Sequence, residues 1–230
     1  MSVYNIGLRG DELEKKMGGG IPTGSVMLIE GEDGFGKSIF SQRITHGALQ
    51  NNHSVTYIST ELTVSSFMNQ MESLRYEVKE PFVDQRLKFI STFPTMGEID
   101  INKKNLIKKV FEEPKLFESD IIIFDTINDL LMDKDIDLKE SYKLLSLLNK
   151  IASQGKTIVI TADPKTMGEK LLRLLKNSAN IYFSLEEKVQ YGNRVTIMKA
   201  IRFNGAKADV DREIPFKVRA GVGIVIELSA

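Results

Sequence analysis

The stretch Gly31-Glu32-Asp33-Gly34-Phe35-Gly36-Lys37-Ser38 has the spacing G-x-x-x-x-G-K-S, and its setting constrains the fold more than any other feature of the chain. It follows an apolar run over 26–30 with the character of a buried strand, and it opens a run over 39–49 that reads as a helix. A glycine-rich turn at the mouth of a helix points successive backbone N–H groups into one concavity, which suits phosphate groups. Gly31 and Gly36 carry no side chain that would block the approach. Lys37 supplies a mobile cation for the β- and γ-phosphates of a nucleotide, and the Ser38 hydroxyl supplies a ligand for the magnesium that bridges them. Gly34, Phe35 and Ile39 fill out the same binding segment. Glu32 and Asp33 also belong to it, but their side chains are carboxylates and are expected to face away from the phosphates.

Short branched apolar runs alternate with amphipathic segments, the pattern of strands feeding crossover helices in an α/β fold. Strands are predicted over 26–30, 55–59, 87–91, 121–124, 157–161 and 181–185. Helices are predicted over 38–50, 63–74, 103–117, 139–153 and 166–177. Leu144, Leu145, Leu148 and Ile151 form one apolar stripe at helical spacing, and Leu106, Ile107, Val110 and Phe111 form another. The end of the chain changes character. Segments 194–201, 213–218 and 223–227, punctuated by Gly205 and Gly221, read as antiparallel strands added to one edge of a mostly parallel sheet. Segments 92–99 and 132–137 read as loops, the second of them an acidic surface.

Lys plus Arg and Asp plus Glu both number 31, so no global attraction to nucleic acid or to an anionic membrane is implied. The absence of cysteine excludes disulfides, thiolate metal sites and cysteine nucleophiles. No apolar run approaches the ~20 residues needed to cross a bilayer, and the first residues lack a secretion-signal pattern. A cytoplasmic protein without direct membrane insertion is expected, brought to a membrane only by partners.

Ile121-Ile122-Ile123-Phe124-Asp125 is an apolar strand ending in a carboxylate, and Asp125 is the second candidate for organising magnesium. Glu61 follows the strand over 55–59 after Thr60, and is the candidate for polarising an attacking water. Its other reading is an acid at the start of the next helix, near Thr63. Asp163, after the strand over 157–161, either senses the γ-phosphate or caps a turn before Pro164. His46 and His53 have no metal-ligand companions at suitable spacing and read as surface or helix-end residues.

With Gly31–Ser38, Thr60-Glu61 and Ile121–Asp125 placed, the chain resembles the RecA/KaiC superfamily. The lead-in Met17-Gly18-Gly19-Gly20-Ile21-Pro22-Thr23-Gly24-Ser25 is similar to that of KaiC-like ATPases. Residues 10–14, 28–33 and 54–61 look most like the accessory ATPases of the archaeal flagellum. The resemblance implies a RecA-like fold in one domain over residues 1–230, with ATP and magnesium as cofactors. It also implies a homo-oligomer in the form of a hexameric ring, docked against the motor's secretion/rotation ATPase and a membrane platform protein. KaiC-type domains carry two adjacent Glu where this chain has Glu61-Leu62, so slow or absent turnover is expected. In ring-forming relatives a Lys and an Arg on a late strand reach the neighbouring subunit's nucleotide, and Lys199 and Arg202 occupy the corresponding stretch with shifted spacing.

A DNA-handling ATPase of the recombinase class would use the same core. Its two flexible basic or Gly-rich loops have no counterpart here, and Lys165, Lys170, Arg173 and Lys176 read as a solvated helix face. An autokinase of the clock type needs a duplicated domain, and the chain has one phosphate loop.

Overall fold

The computed structural model describes residues 2–92, 112–130, 138–190 and 192–227. The predicted helix over 103–117, with its stripe at Leu106, Ile107, Val110 and Phe111, falls outside the described residues up to 111; at its end Pro114–Phe117 is a 3₁₀ turn. The loops over 92–99 and 132–137 also lie outside them, apart from Thr92.

Strands β1 (Val3–Tyr4) and β2 (Ile21–Pro22) pair antiparallel, with the short helix α1 (Leu13–Lys16) between them. The chain then alternates as the sequence predicts. Strand β3 (Val26–Glu30) leads into α2 (Lys37–Gln50), and β4 (Val55–Ser59) into α3 (Val64–Ser73) and the short α4 (Lys79–Val83). Next come β5 (Leu87–Ser91), β6 (Ile121–Asp125), the short α5 (Ile127–Leu130), α6 (Leu138–Ser153), β7 (Thr157–Ala162), α7 (Glu169–Ser178) and β8 (Ile181–Gln190). The chain closes with β9 (Asn193–Phe203), β10 (Glu213–Arg219) and β11 (Gly223–Ile226).

Among the described residues nine strands form one sheet in the order β11-β10-β9-β8-β3-β7-β6-β4-β5. Pairs β8–β3, β3–β7, β7–β6, β6–β4 and β4–β5 are parallel, and β8 through β11 continue antiparallel. This is the predicted α/β arrangement, a mostly parallel sheet with an antiparallel C-terminal edge. From β3 the chain crosses over α2 to β4, passing β7 and β6, and the crevice opened by such a crossing lies at the carboxyl ends of the strands.

The strands' period of two decides which residues meet which helix. Met27, Ile29, Val55, Tyr57, Ile121, Ile123 and Val159 belong to the core shared with Phe40, Ile44 and Ala48 of α2 and Phe67 and Met71 of α3. Their neighbours Val26, Leu28, Ile58, Ile122, Phe124, Ile158 and Ile160 belong to the opposite core, covered by Leu144, Leu145, Leu148 and Ile151 of α6 and Leu171, Leu172 and Leu175 of α7. Register levels the strand tops, since Ser59 pairs Asp125, Phe124 pairs Ile160 and Glu30 pairs Ala162. The loops leaving β3, β4, β6 and β7 therefore start beside one another.

The N-terminal lead-in is anchored to this frame. Gly18 has φ +77°, and a Cβ there would come within 2.9 Å of Ala206, Ala208 and Val210. Arg43, wholly buried in α2, receives Asp11 from the lead-in through its Nε and Nη2, both 2.7 Å from Oδ2, and its Nη1 donates to the Ile6 carbonyl at 2.9 Å.

A candidate nucleotide site at the strand ends

The phosphate loop sits at the end of β3 and turns directly into α2. Gly34 and Gly36 have φ of +85° and +90°, the left-handed region where glycine is unstrained. Gly36 lies just ahead of α2, so its conformation turns the chain into the helix and aims the first helical amides back at the loop. A Cβ at Gly34 would meet nothing within 4 Å, while one at Gly36 would touch the Phe216 ring at 3.5 Å. Lys37 is 5% exposed, a cation held inside the loop rather than in solvent.

Asp33 departs from its expected placement. Its side chain stays exposed, yet its carboxylate reaches the loop's own cation, with Lys37 Nζ 3.2 Å from Asp33 Oδ1. Asp33 lies in the loop and Lys37 opens α2, so the pair spans the turn that Gly34 and Gly36 make. Glu32 does point away, and pairs with Lys165 at 2.6 Å.

Ser38 Oγ donates to Asp125 Oδ1 at 3.0 Å. Asp125 is 1% exposed and takes two more hydroxyl donors, Tyr57 Oη to Oδ2 at 2.5 Å and Thr161 Oγ1 to Oδ1 at 2.8 Å. Period two explains the convergence. Tyr57 and Ser59 on β4, Ile123 and Asp125 on β6, and Val159 and Thr161 on β7 occupy the sheet face covered by α2. Burial raises the Asp125 carboxyl above the ordinary aspartate range, against the pull of its three hydroxyl donors and the Lys37 charge. A hydroxyl and a carboxylate side by side, with a lysine close by, form a hard-oxygen donor set that fits magnesium on a phosphate chain.

Glu61 stands just beyond β4, and its Oε1 accepts from the Thr126 hydroxyl at 2.9 Å. Helix α3 starts later, capped by Thr63, whose hydroxyl accepts from the Ser66 amide at 3.1 Å. Glu61 is therefore no part of that helix's first turn. Burial is the main cause raising its carboxyl above the usual glutamate range, with Asp125 and Asp33 adding to it and Thr126 opposing it. Leu62, where a second carboxylate would stand, packs against the core instead.

Asp163 makes the turn ahead of Pro164: its Oδ1 accepts the Lys165 amide at 2.8 Å, and its own amide donates to Asn128 Oδ1 at 3.0 Å. Lys199 and Arg202, both on β9, are engaged within their own chain. Lys199 pairs with Glu186 at 2.7 Å, and this hydrogen bond holds its ammonium pKa up. Arg202 Nη1 donates to the carbonyls of Lys176 and Ala179 at 2.7 and 2.8 Å, closing the C-terminal end of α7.

His46 is a correction. It is 8% exposed and stacks on Tyr76 at 5.0 Å between ring centroids, and burial lowers its pKa. In the basic stretch around α7, Lys165 is taken by Glu32 and Lys176 by Glu30 at 2.8 Å. Sequence reasoning missed Tyr57, Thr126, Thr161 and Asn128. Three of them follow or interrupt apolar runs, and only their register beside Asp125 gives them away.

The family described as "ATPase: KaiC" matches residues 9–229. The archaeal flagellar ATP-binding protein FlaH of Methanocaldococcus jannaschii is 34% identical over 230 residues, spanning all of this chain and 98% of that one. This chain belongs to the FlaH branch of the KaiC ATPase family. FlaH of Methanococcus voltae is likewise 34% identical, over all of this chain and 99% of its own. The crystal structure of flagellar accessory protein FlaH from M. jannaschii superposes with a TM-score of 0.91 over 99% of this chain and 100% of that one. A KaiC-like protein from Pyrococcus horikoshii, 15% identical, shares the fold at a TM-score of 0.75, covering 99% of each chain. As a KaiC-family chain it carries an ATP-binding domain. Among its described residues no helix is long and apolar enough to cross a membrane.

Proposed function

We propose that this chain is a cytoplasmic ATP-binding subunit of the archaeal flagellum machinery, folded as one domain over residues 1–230. It forms a ring of identical subunits and regulates the assembly or action of the motor through nucleotide occupancy. The observation that carries the ATP reading is the Ser38–Asp125 contact at 3.0 Å beside the enclosed Lys37. Loop amides and Lys37 would hold the phosphates of ATP, and Ser38 and Asp125 would hold magnesium. When bound, the metal supplies charge neutralisation between neighbouring phosphate oxygens. Glu61 stands ready to accept a proton from water, and Leu62 in place of a second carboxylate supports slow turnover.

The motor reading rests on relatives named for the archaeal flagellum that span the whole chain. Its partners would be the motor's secretion/rotation ATPase and its membrane platform protein. Lys199 and Arg202 reach a neighbouring subunit only if Glu186 and the α7 carbonyls release them, so ATP-dependent assembly is the step to measure. Light scattering on wild type and Lys37→Ala, with and without magnesium ATP, tests both parts. The expected result is a larger mass with ATP for wild type and no change for the variant, which also shows no ATP binding by calorimetry. A wild-type mass indifferent to ATP overturns the assembly role, and ATP binding by the variant overturns the site.

A further inference from the structure

Thr126 follows Asp125 directly and is 4% exposed, so its hydroxyl has no solvent to turn to. That hydroxyl donates to Glu61 Oε1 at 2.9 Å and lies 3.4 Å from Thr161 Oγ1, whose own proton goes to Asp125 Oδ1 at 2.8 Å. The backbone on either side is clasped by Thr60. Thr126 N–H donates to Thr60 Oγ1 at 3.2 Å, Thr60 Oγ1 donates to the Thr126 carbonyl at 3.1 Å, and Thr60 N–H donates to the Asp125 carbonyl at 2.9 Å. Three hydrogen bonds thus tie the end of β4 to the end of β6 and fix the Thr126 hydroxyl in the frame of Asp125.

Glu61 has no comparable hold of its own. Its amide makes a long bond to Ser59 Oγ at 3.3 Å, and its side chain extends from a turn rather than from a strand or helix. A free glutamate side chain samples many rotamers, and one charge-assisted hydrogen bond to a fixed donor selects among them. We propose that Thr126 is a positioning residue, whose hydroxyl holds the Glu61 carboxylate at the phosphate end of the site in register with Asp125. This rests on the reading of Glu61 as the water-activating group. With Leu62 in place of a second acid, that single carboxylate is the one whose placement matters.

Thr126→Val removes the hydroxyl and keeps the side chain's branched shape, and Thr126→Ser keeps the hydroxyl. Positioning is worth one to two decades in a step needing near-attack geometry, so Thr126→Val should lower kcat for ATP about 10- to 100-fold. Calorimetric ATP affinity should stay within about twofold, because Thr126 does not touch the phosphate loop. Thr126→Ser should recover most of the rate, and Thr126→Val combined with Glu61→Gln should be no slower than Glu61→Gln alone, since the effect passes through Glu61. A purely structural role gives additive losses and no rescue by serine, and either result overturns the proposal. If the wild type shows no turnover, the hydrolytic reading of Glu61 fails while the positioning proposal remains open to a second measurement. Crystal structures of wild type and Thr126→Val with magnesium ATP should then show the Glu61 carboxylate displaced in the variant, and an unmoved carboxylate overturns the proposal.

Discussion

The Asp33 carboxylate lies 3.2 Å from the Lys37 ammonium, on the loop that must receive a polyanion. A phosphate chain has to displace it and then tolerate it nearby. Asp33 is 81% exposed at its side chain, so the pair is a weak competitor, of the order of 0.2–1 kcal/mol. Asp33→Asn is expected to tighten ATP binding about two- to fivefold at low salt. The gain should shrink as added salt screens the exposed carboxylate. Calorimetry at two ionic strengths checks this, and an unchanged or weaker affinity at low salt would count against Asp33 as a competitor for Lys37.

Tyr57 tests the support beneath the metal position. Its hydroxyl is 2.5 Å from Asp125 Oδ2, and both residues are buried. Tyr57→Phe keeps the ring packed on Phe67 and Phe89 and leaves one carboxylate oxygen without its donor. An unsatisfied buried acceptor costs about 1–3 kcal/mol, which in a chain of this size is a Tm loss of about 2–12 °C. A bound magnesium would satisfy the same carboxylate, so the deficit should narrow in magnesium ATP. Melting curves with and without the nucleotide decide it, and an equal deficit in both would place Tyr57 outside the metal's reach.

The fold was legible wherever one periodicity dominated. β3, β4 and β5 begin and end where their apolar runs do, and the glycines of the phosphate loop announce their strand-to-helix turn. Three things were not legible. The pairing of β1 with β2 depends on contacts between distant parts of the chain, and two-residue strands carry no period. Asp33 is expected to face away from the phosphates, and its contact with Lys37 depends on the turn the loop makes at Gly34 and Gly36, which spacing alone does not show. Tyr57 and Thr161 fall inside predicted strands and Thr126 just beyond one, and a hydroxyl there acquires meaning only when register sets it beside a buried carboxylate.

Glu61 carries a pH signature. Burial raises its carboxyl above the ordinary value of 4.5, so the folded state holds this proton more tightly than the unfolded state does. Stability from this group is therefore full at low pH and is lost as pH climbs from the unfolded value through the folded one. Glu61→Gln stays neutral and keeps an acceptor for Thr126. The variant's Tm should gain on the wild type across that window and hold a constant lead above it. Melting both proteins between about pH 3.5 and 8 checks the sign, and a difference independent of pH would refute a raised Glu61 pKa.

Asp11 shows what anchors the lead-in to the ATP-binding core. Its Oδ2 is the partner of Arg43 Nε and Nη2, while its Oδ1 accepts the Leu13 amide at 3.1 Å at the start of α1. Arg43 is wholly buried, so Asp11→Ala strands a guanidinium whose remaining hydrogen bond among the described residues is to the Ile6 carbonyl. Breaking a buried pair from one side costs about 3–5 kcal/mol, which here means a Tm lower by about 6–20 °C. Replacing both partners removes the stranded charge, so Asp11→Ala with Arg43→Met should recover a large part of that loss. The order of the two melting points is the test. If the double variant melts below the single one, the guanidinium is not the source of the cost, and the pair would instead be contributing through the turn that Asp11 caps.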